Sequence, residues 1–349
     1  MKIRATLLFF SLFLAVPLCG RPKIDTIVMK NGDHWTCEIK RLAESVLYVG
    51  LDYVDGTISI DWSKVARLES TQLFLVTTQS GLIYTGTLKT PETPTDKPVK
   101  IEIIEAPSQQ VVLPRKEIVG LGQTSETFWR RFSGNINGGL IFSKSNTNLQ
   151  YNFGSELKYL RPRWSGQVSF SSALSSTEGA TTTTRNQVTL KGERLLRWNN
   201  WYYAGIGDFL QSASQGIQLQ TTAGAGIGRY LKNTNRARIG LTGGLAWQGT
   251  SYVPTGEFQE GHNLIAGLIG TSVQAFRFKK TNLSITAALL PALSQPGRVR
   301  FNTNVTYSIQ IISNLWWNFT FYGNWDNRPP ANFSGSDYGT SSGTSYTFP

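Results

Sequence analysis

The 349-residue sequence is poor in the residues that most often carry chemistry, since it has only two cysteines and two histidines. Cys19 lies in an N-terminal segment that we expect to be removed, so Cys37 remains alone and a disulfide framework is excluded. His34 lies beside a predicted turn and His262 ends a predicted loop, and neither is followed by residues that suggest a triad with a serine nucleophile. Metal-ligand spacing and phosphate-binding glycine loops are also missing. We therefore expect no enzyme activity, no cofactor and no metal.

Long apolar runs are confined to the N-terminus. MKIRATLLFFSLFLAVPLCG places Lys2 and Arg4 ahead of an apolar run over residues 7 to 18, which is typical of a secretory signal peptide over residues 1–20. No later segment has the 18 or so apolar residues that a membrane-spanning helix needs. Any membrane-spanning part of the mature chain must therefore consist of strands.

Charged residues are few, at 16% of the chain, and the net charge of +12 is unevenly placed. Residues 21–127 carry 12 basic and 14 acidic side chains, whereas residues 128–349 carry 20 basic and 8 acidic ones. The basic residues are spread over predicted turns instead of being gathered with aromatics on one face, which argues against nucleic-acid binding. A basic rim beside anionic lipid head groups is favourable by about 1 kcal/mol per cation, so we expect outer-membrane lipids as partners.

Alternation of apolar and polar residues dominates the chain beyond Phe132. In LQYNFGSELKYLRPRWSGQVSFSSAL (149 to 174) two stretches of period-two alternation flank a short turn, which predicts a hairpin with one apolar and one polar face. About twelve such strands follow one another to residue 348, and tight turns alternate with longer loops between them. This is the pattern of an antiparallel transmembrane β-barrel with lipid outside and a polar lumen.

Residues 21–124 contain a degenerate tandem repeat. IVMKNGDHWTCEIK (27 to 40) aligns with LVTTQSGLIYTGTLK around residues 74 to 89, and ISIDWSKVARL (58 to 68) aligns with VVLPRKEIVGL (111 to 121). Each unit has short strands, a glycine turn and a last turn near Trp62 or Arg115, which favours small barrels of the Sm or SH3 kind. We thus predict an all-β protein: a periplasmic repeat domain over 21–124 with a possible periplasmic partner, a linker over 125–131, and an outer-membrane barrel over 132–349.

Two sets of barrel residues are candidates for specific roles. The alternation has an inward parity, meaning the every-second position that faces the lumen. Five charged residues at such positions are candidates to plug the lumen or to form a selective constriction, namely Glu156, Lys158, Lys191, Glu193 and Asp208. Aromatic residues that lie towards strand ends are predicted to form a girdle at the membrane interfaces, namely Tyr159, Trp164, Trp198, Trp201, Trp247, Trp316 and Trp325.

The barrel region resembles the YdiY-like outer-membrane barrel family, catalogued as domain of unknown function 481. The likeness rests on GNINGGLIFSKSNTNLQYNFGSEL near the start, on GIQLQTTAGAGIGRYL in the centre and on the closing DYGTSSGTSYTF. It implies the fold and an outer-membrane location. The end of the last strand, with Tyr346 and Phe348, also resembles the signal read by the barrel-assembly machinery of Gram-negative bacteria, although Pro349 follows it.

The function expected from these features is that of a small pore or an envelope-structural protein with a periplasmic interaction module. Two alternatives stay open at this stage. One is an outer-membrane enzyme that modifies lipid, and the other is a secreted soluble β-protein that binds a polymer through exposed aromatics.

Overall fold

The structure is a computed structural model and describes residues 23–91, 99–106, 109–124, 132–143, 148–161, 163–176, 182–196, 199–252, 262–277, 281–312, 315–329 and 334–348. The expected signal peptide (1–20) and linker (125–131) lie outside the described residues. Within the described residues there is no α-helix long and apolar enough to cross a membrane.

The N-terminal region consists of nine short strands. They are β1 (Asp25–Met29), β2 (His34–Ala43), β3 (Val46–Gly50), β4 (Ile58–Asp61), β5 (Val65–Thr78), β6 (Ile83–Lys89), β7 (Lys100–Ala106), β8 (Gln109–Pro114) and β9 (Ile118–Gln123). Their order in the sheet is β4-β3-β2-β1-β5-β6-β7-β8, and β9 pairs with both β2 and β5. Strands β2, β1, β5 and β9 therefore close a small four-stranded barrel, with further strands added on either side.

The repeat seen in the sequence reappears in the order of elements. Four short strands are followed by a single 3₁₀ turn and a fifth strand in both halves, with the turns at Trp62–Lys64 and Arg115–Glu117. Gly32 and Gly81, which align in sequence, both adopt positive φ, of 94° and 84°. The two halves share β5 and are joined again where β2 pairs with β9. One barrel with one hydrophobic core results, instead of the two separate small barrels that the repeat suggested, because neither half closes without the other.

Cys37 lies in this core and is fully buried. Its burial, with a further contribution from the carboxylates of Asp25 and Glu38, raises the pKa of the thiol to about 12. The thiol therefore stays neutral at physiological pH, and its contribution to stability is lost only as the pH rises from about 9 towards 12. At pH 8 we expect iodoacetamide to alkylate the Cys37 peptide about a thousand-fold more slowly in the native protein than in urea, because the thiolate is the reactive form. Equal rates by mass spectrometry would contradict this environment.

The C-terminal region forms a closed antiparallel barrel of twelve strands, which confirms the predicted all-β fold. The strands are β10 (Phe132–Ser143), β11 (Asn148–Leu160), β12 (Trp164–Ser176), β13 (Thr183–Leu195), β14 (Trp201–Ser212), β15 (Ile217–Asn233), β16 (Ala237–Tyr252), β17 (His262–Arg277), β18 (Thr281–Pro291), β19 (Val299–Ile312), β20 (Leu315–Asp326) and β21 (Ser336–Phe348). Each pairs with the next, and β21 returns to β10 with Gly134 opposite Phe348. This pairing closes the ring, so neither β10 nor β21 is a free edge strand.

The barrel has an apolar outer face, because side chains along a strand alternate between its two surfaces. Large apolar residues remain exposed there, including Leu245 at 60% and Ile269 at 56%. The inner face is polar on β10 to β13. On β16 to β18 it includes an apolar patch, where Ala246, Ala266 and Leu290 form a small cluster.

The N-terminal barrel rests on the short-turn end of the large barrel. In the turn between β13 and β14, Asn200 has φ of 59° and its Nδ2 donates to the carbonyl oxygen of Gln79 at 2.7 Å. In the turn between β15 and β16, Asn235 Nδ2 donates to the carbonyl oxygen of Ile118 at 2.8 Å. A Cβ atom on Gly81 would lie 2.7 Å from the Asn200 backbone nitrogen, so this close approach requires glycine. The two short turns of the large barrel thus contact two parts of the N-terminal barrel. Asn200 bonds beside the glycine turn at Gly81, and Asn235 bonds just after the 3₁₀ turn Arg115–Glu117.

Candidate functional site

The interior of the large barrel holds the five charged residues selected from the sequence. Glu156 and Lys158 lie on β11, Lys191 and Glu193 on β13, and Asp208 on β14. All five occupy positions of inward parity, opposite inward positions on the neighbouring strands. The structure divides them into separate groups along the wall instead of one cluster.

Glu156 and Lys158 form an ion pair within one strand, with 2.7 Å between Lys158 Nζ and Glu156 Oε1. Glu156 also accepts hydrogen bonds from Gln167 Nε2 at 2.7 Å and from Asn135 Nδ2 at 3.3 Å. Both partners lie on strands adjacent to β11. This group therefore lines the wall and does not reach across the lumen.

The other acidic candidates accept hydrogen bonds from neutral groups. Asp208 Oδ2 accepts from Gln187 Nε2 at 2.7 Å and from Thr189 Oγ1 at 2.6 Å. Glu193 Oε2 accepts from Tyr230 OH at 2.6 Å. These bonds join neighbouring or next-neighbouring strands, so they stiffen the wall in the same way as the first group.

The lumen is crossed by a second set of residues near the long-loop end, which we call the lumen bridge: Arg185, Ser212, Tyr322 and Asp337. Ser212 Oγ on β14 donates to Asp337 Oδ2 on β21 at 3.1 Å, although these strands are five positions apart in a ring of twelve. Arg185 Nη1 lies 3.8 Å from the same carboxylate oxygen, within ion-pair range but too far for a hydrogen bond. Its guanidinium stacks 4.5 Å from the centroid of the Tyr322 ring. Side chains from opposite walls therefore meet in the middle of the barrel.

A second group, the arginine cluster, lies beside the bridge and consists of Gln248, Arg298, Arg300 and Asp326. Arg298 forms a two-bond fork with Asp326, with Nη2 to Oδ2 at 2.7 Å and Nε to Oδ1 at 3.2 Å. Arg300 Nε donates to Asp326 Oδ2 at 2.8 Å, and its Nη1 donates to Gln248 Oε1 on β16, three strands away from β19. Arg298 and Arg300 are only 4% and 7% exposed. The single carboxylate of Asp326 therefore partly neutralises the charges of two nearly buried arginines.

The bridge and the arginine cluster were missed in the sequence. Asp326 ends β20 and Asp337 lies inside β21, and both carboxylates pair with arginines inside the barrel. Inward parity of Arg185 and Arg300 was the available signal, yet parity gives no information on which strands face each other.

The aromatic girdle lies on the outer face except at one position. Trp164, Trp247 and Trp325 are exposed at 52%, 44% and 46%, and Tyr159 and Trp201 share the same outward parity. Trp316 instead lies opposite Gln310 and Ser345, on the inward parity of Asn318, whose Nδ2 bonds to Ser345 Oγ. This prediction was wrong because two tryptophans are consecutive here, and only Trp317 can face outward.

The remaining predicted positions are Trp198 of the girdle and Tyr346 and Phe348 of the assembly signal. Trp198 lies outside the described residues. Tyr346 is exposed at 56% on the outer face of β21. Phe348 is the last residue of β21 and pairs with Gly134, so the predicted assembly signal coincides with the strand that closes the barrel.

A family model described as "Protein of unknown function, DUF481" matches residues 136–348. The chain belongs to this family. The match covers the twelve-stranded barrel almost from its first strand to its last, and leaves the N-terminal barrel outside. No curated protein matches the DUF481 chain.

Several solved structures are similar to this DUF481 protein. The NanC porin is 9% identical with a TM-score of 0.39, and the match covers 62% of this chain and all of that one. A bacterial polysaccharide outer membrane secretin is 9% identical with a TM-score of 0.32, over 62% and 97% of the two chains. The β domain of the Bordetella autotransporter BrkA is 9% identical with a TM-score of 0.30, over 62% and 98%.

Proposed function

We propose that this protein is an integral outer-membrane β-barrel whose lumen is closed at the long-loop end in its resting state. The contact between Ser212 and Asp337 across five strand positions carries this proposal. A barrel that served as an open diffusion pore would have no reason to place side chains from opposite walls in contact. The role that fits best is an envelope-structural one, exercised through the N-terminal domain.

The orientation follows from the loops and the rim. Short turns are periplasmic in bacterial outer-membrane barrels and long loops are extracellular. The N-terminal barrel bonds to the short turns through Asn200 and Asn235, so we place it in the periplasm. A signal peptide over residues 1–20, a YdiY-like relationship and an Sm-like or SH3-like interaction role for the N-terminal domain are parts of the same proposal.

A gated pore is the second candidate. Asn302 and Asn304 on β19 and Ser171 on β12 have inward parity and are nevertheless exposed to solvent. Water therefore reaches part of the lumen below the bridge. In this version the bridge is the gate, and its opening admits small polar solutes.

The test of membrane insertion compares two exposed leucines. Leu245 on β16 is 60% exposed on the large barrel, and Leu73 on β5 is 49% exposed on the N-terminal barrel. Leu245→Arg should cost about 2–4 kcal/mol of folding in lipid vesicles, because an arginine on the lipid face must enter hydrocarbon. Leu73→Arg should stay within about 0.5 kcal/mol, because that side chain faces water.

The readouts are urea unfolding in vesicles, recovery in the outer-membrane fraction and the band shift on heating in detergent. The wild type and Leu73→Arg should sediment with outer membranes and shift on heating. A wild-type protein that is soluble without detergent, or equal tolerance of both arginines, would favour the secreted soluble protein. Turnover of phospholipid or lipid A that is lost in His262→Ala would favour the lipid-modifying enzyme.

A further inference from the structure

Two arginines on the outer face of the large barrel stack on aromatic rings at the short-turn end. The Arg194 guanidinium lies 4.9 Å from the ring centroid of Trp164, and that of Arg229 lies 5.8 Å from the ring centroid of Trp201. Both pairs are direct cross-strand neighbours, on β12 with β13 and on β14 with β15. The aromatic rings hold the two cations at a fixed height on the barrel wall.

Neither cation is neutralised by an acidic residue. Both arginines are exposed, and among the described residues no carboxylate lies within ion-pair distance of either guanidinium. Arg229 donates one hydrogen bond from Nε to the carbonyl oxygen of Asn199 at 3.2 Å, which leaves its terminal nitrogens available. Every acidic residue of the described barrel instead points into the lumen. Charge complementarity therefore calls for an anion on the outside of the wall.

The two arginines flank a single strand. Arg194 lies opposite Tyr203 and Arg229 lies opposite Trp201, both on β14. Two strand spacings and an offset of two residues along the strands separate the arginine backbones by about 12 Å, a gap that two long side chains can span to reach one phosphate. Tyr203 is 52% exposed between them and offers a hydroxyl donor. The three side chains lie side by side on the outer face of β13, β14 and β15.

Towards the middle of the barrel the outer surface of the wall is depressed, because its outward-facing residues are small. Beyond the outward row of Trp164, Arg194, Tyr203 and Ile227, the next outward positions are Gly166, Gly192, Gly205 and Ala225. A Cβ atom on Gly166 or Gly192 would meet no atom within 4 Å, so the surface there is open. The depression continues into an apolar groove lined by Ala223, Ala225, Leu245, Trp247 and Ile265. An apolar chain that runs from the arginines along the wall would lie in this groove.

We propose that this face binds one anionic phospholipid of the periplasmic leaflet, with its phosphate held by Arg194, Arg229 and Tyr203 and one acyl chain in the groove. The inference rests on the proposed membrane location of the barrel. A zwitterionic phospholipid lacks the net charge that two unneutralised cations favour. A guanidinium suits a phosphate better than an ammonium does, because its planar donors bind two oxygens together.

The test titrates phosphatidylglycerol or phosphatidylcholine into the full-length protein in a neutral detergent and counts bound lipids by native mass spectrometry. Surface cations contribute about five-fold each to binding of anionic lipid, so the Arg194→Ala/Arg229→Ala variant should bind phosphatidylglycerol about thirty-fold more weakly. The matched control is Arg161→Ala/Arg236→Ala, which removes two exposed rim cations that stack on no described aromatic ring. Because neither of these guanidinium groups lies at the proposed phosphate position, the control should lower the affinity for phosphatidylglycerol less than the Arg194→Ala/Arg229→Ala variant does. Ala225→Phe keeps both arginines and fills the groove, and it should weaken binding of long-chain lipid.

Three results would overturn the proposal. They are an equal loss in the control variant, a wild type that binds both lipids equally, and full competition by glycerol phosphate, which has the head group without acyl chains. The band shift on heating and membrane recovery are measured on every variant. If these fail in the wild type, the membrane location itself is wrong; if they hold while lipid preference is absent, only the lipid site is wrong.

Discussion

Replacement of both Arg185 and Asp337 by alanine should turn a silent barrel into a conducting one. In the native protein, Asp337 accepts from Ser212 and lies 3.8 Å from Arg185, so the adjacent strands β13 and β14 meet β21 from across the ring at one carboxylate. The double variant removes both charges together, so it leaves no buried charge without its partner. We expect steady single-channel steps in planar bilayers at least about ten-fold above the wild-type conductance, because the contact across the lumen loses both of its charged side chains.

The matched control for this experiment is Glu156→Gln/Lys158→Gln. It removes an ion pair of shorter distance, 2.7 Å, but that pair lies along a single strand. The control should remain as silent as the wild type if the bridge, and not charge in general, closes the lumen. Steady conductance of the wild type would refute closure, and a silent bridge variant would show that other residues obstruct the lumen.

Loss of the Asp326 carboxylate should destabilise the barrel more than any other single change discussed here. Asp326→Asn leaves Arg298 and Arg300, at 4% and 7% exposure, without the anion that both bind. A buried charge that loses its partner costs about 3–5 kcal/mol. The urea midpoint of the refolded barrel and the temperature of its band shift should both fall.

Asp208→Asn provides the comparison for this variant. Asp208 is also a lumen carboxylate with two close hydrogen bonds, but its donors, Gln187 and Thr189, are neutral. Its replacement should cost about 1 kcal/mol, because an asparagine oxygen still accepts one of the bonds. If both variants lost the same stability, the special role of the arginine cluster would be wrong.

The lumen-facing candidates illustrate how far sequence reasoning reaches. Parity placed Glu156, Lys158, Lys191, Glu193 and Asp208 on the inner face, and the structure has them there. It gave no information on contacts, and these residues turn out to bond to near neighbours along the wall. The bridge depends instead on Arg185 and Asp337, which are 152 positions apart in the sequence and whose proximity exists only because the ring closes.

Two strands of the barrel, β14 and β17, show no clean alternation of apolar and polar residues in the sequence, because both of their faces carry apolar residues. Leu210 on β14 and Leu264 and Ala266 on β17 are buried inside the barrel, while Phe209 and Ile265 are exposed outside it. An apolar part of the lumen removes the contrast on which parity depends.

The sequence by itself determined the all-β class, the twelve strands and the sides of most residues, because each of these depends on local alternation and turn residues. Tertiary structure alone decided that two N-terminal repeats form one barrel, because shared β5 and the pairing of β2 with β9 are long-range contacts. It also decided that Asn200 and Asn235 anchor that barrel to the short turns and that opposite walls meet at Asp337. The pattern along the chain indicates which face of a strand a side chain occupies, whereas closure of the ring determines which residues that side chain contacts.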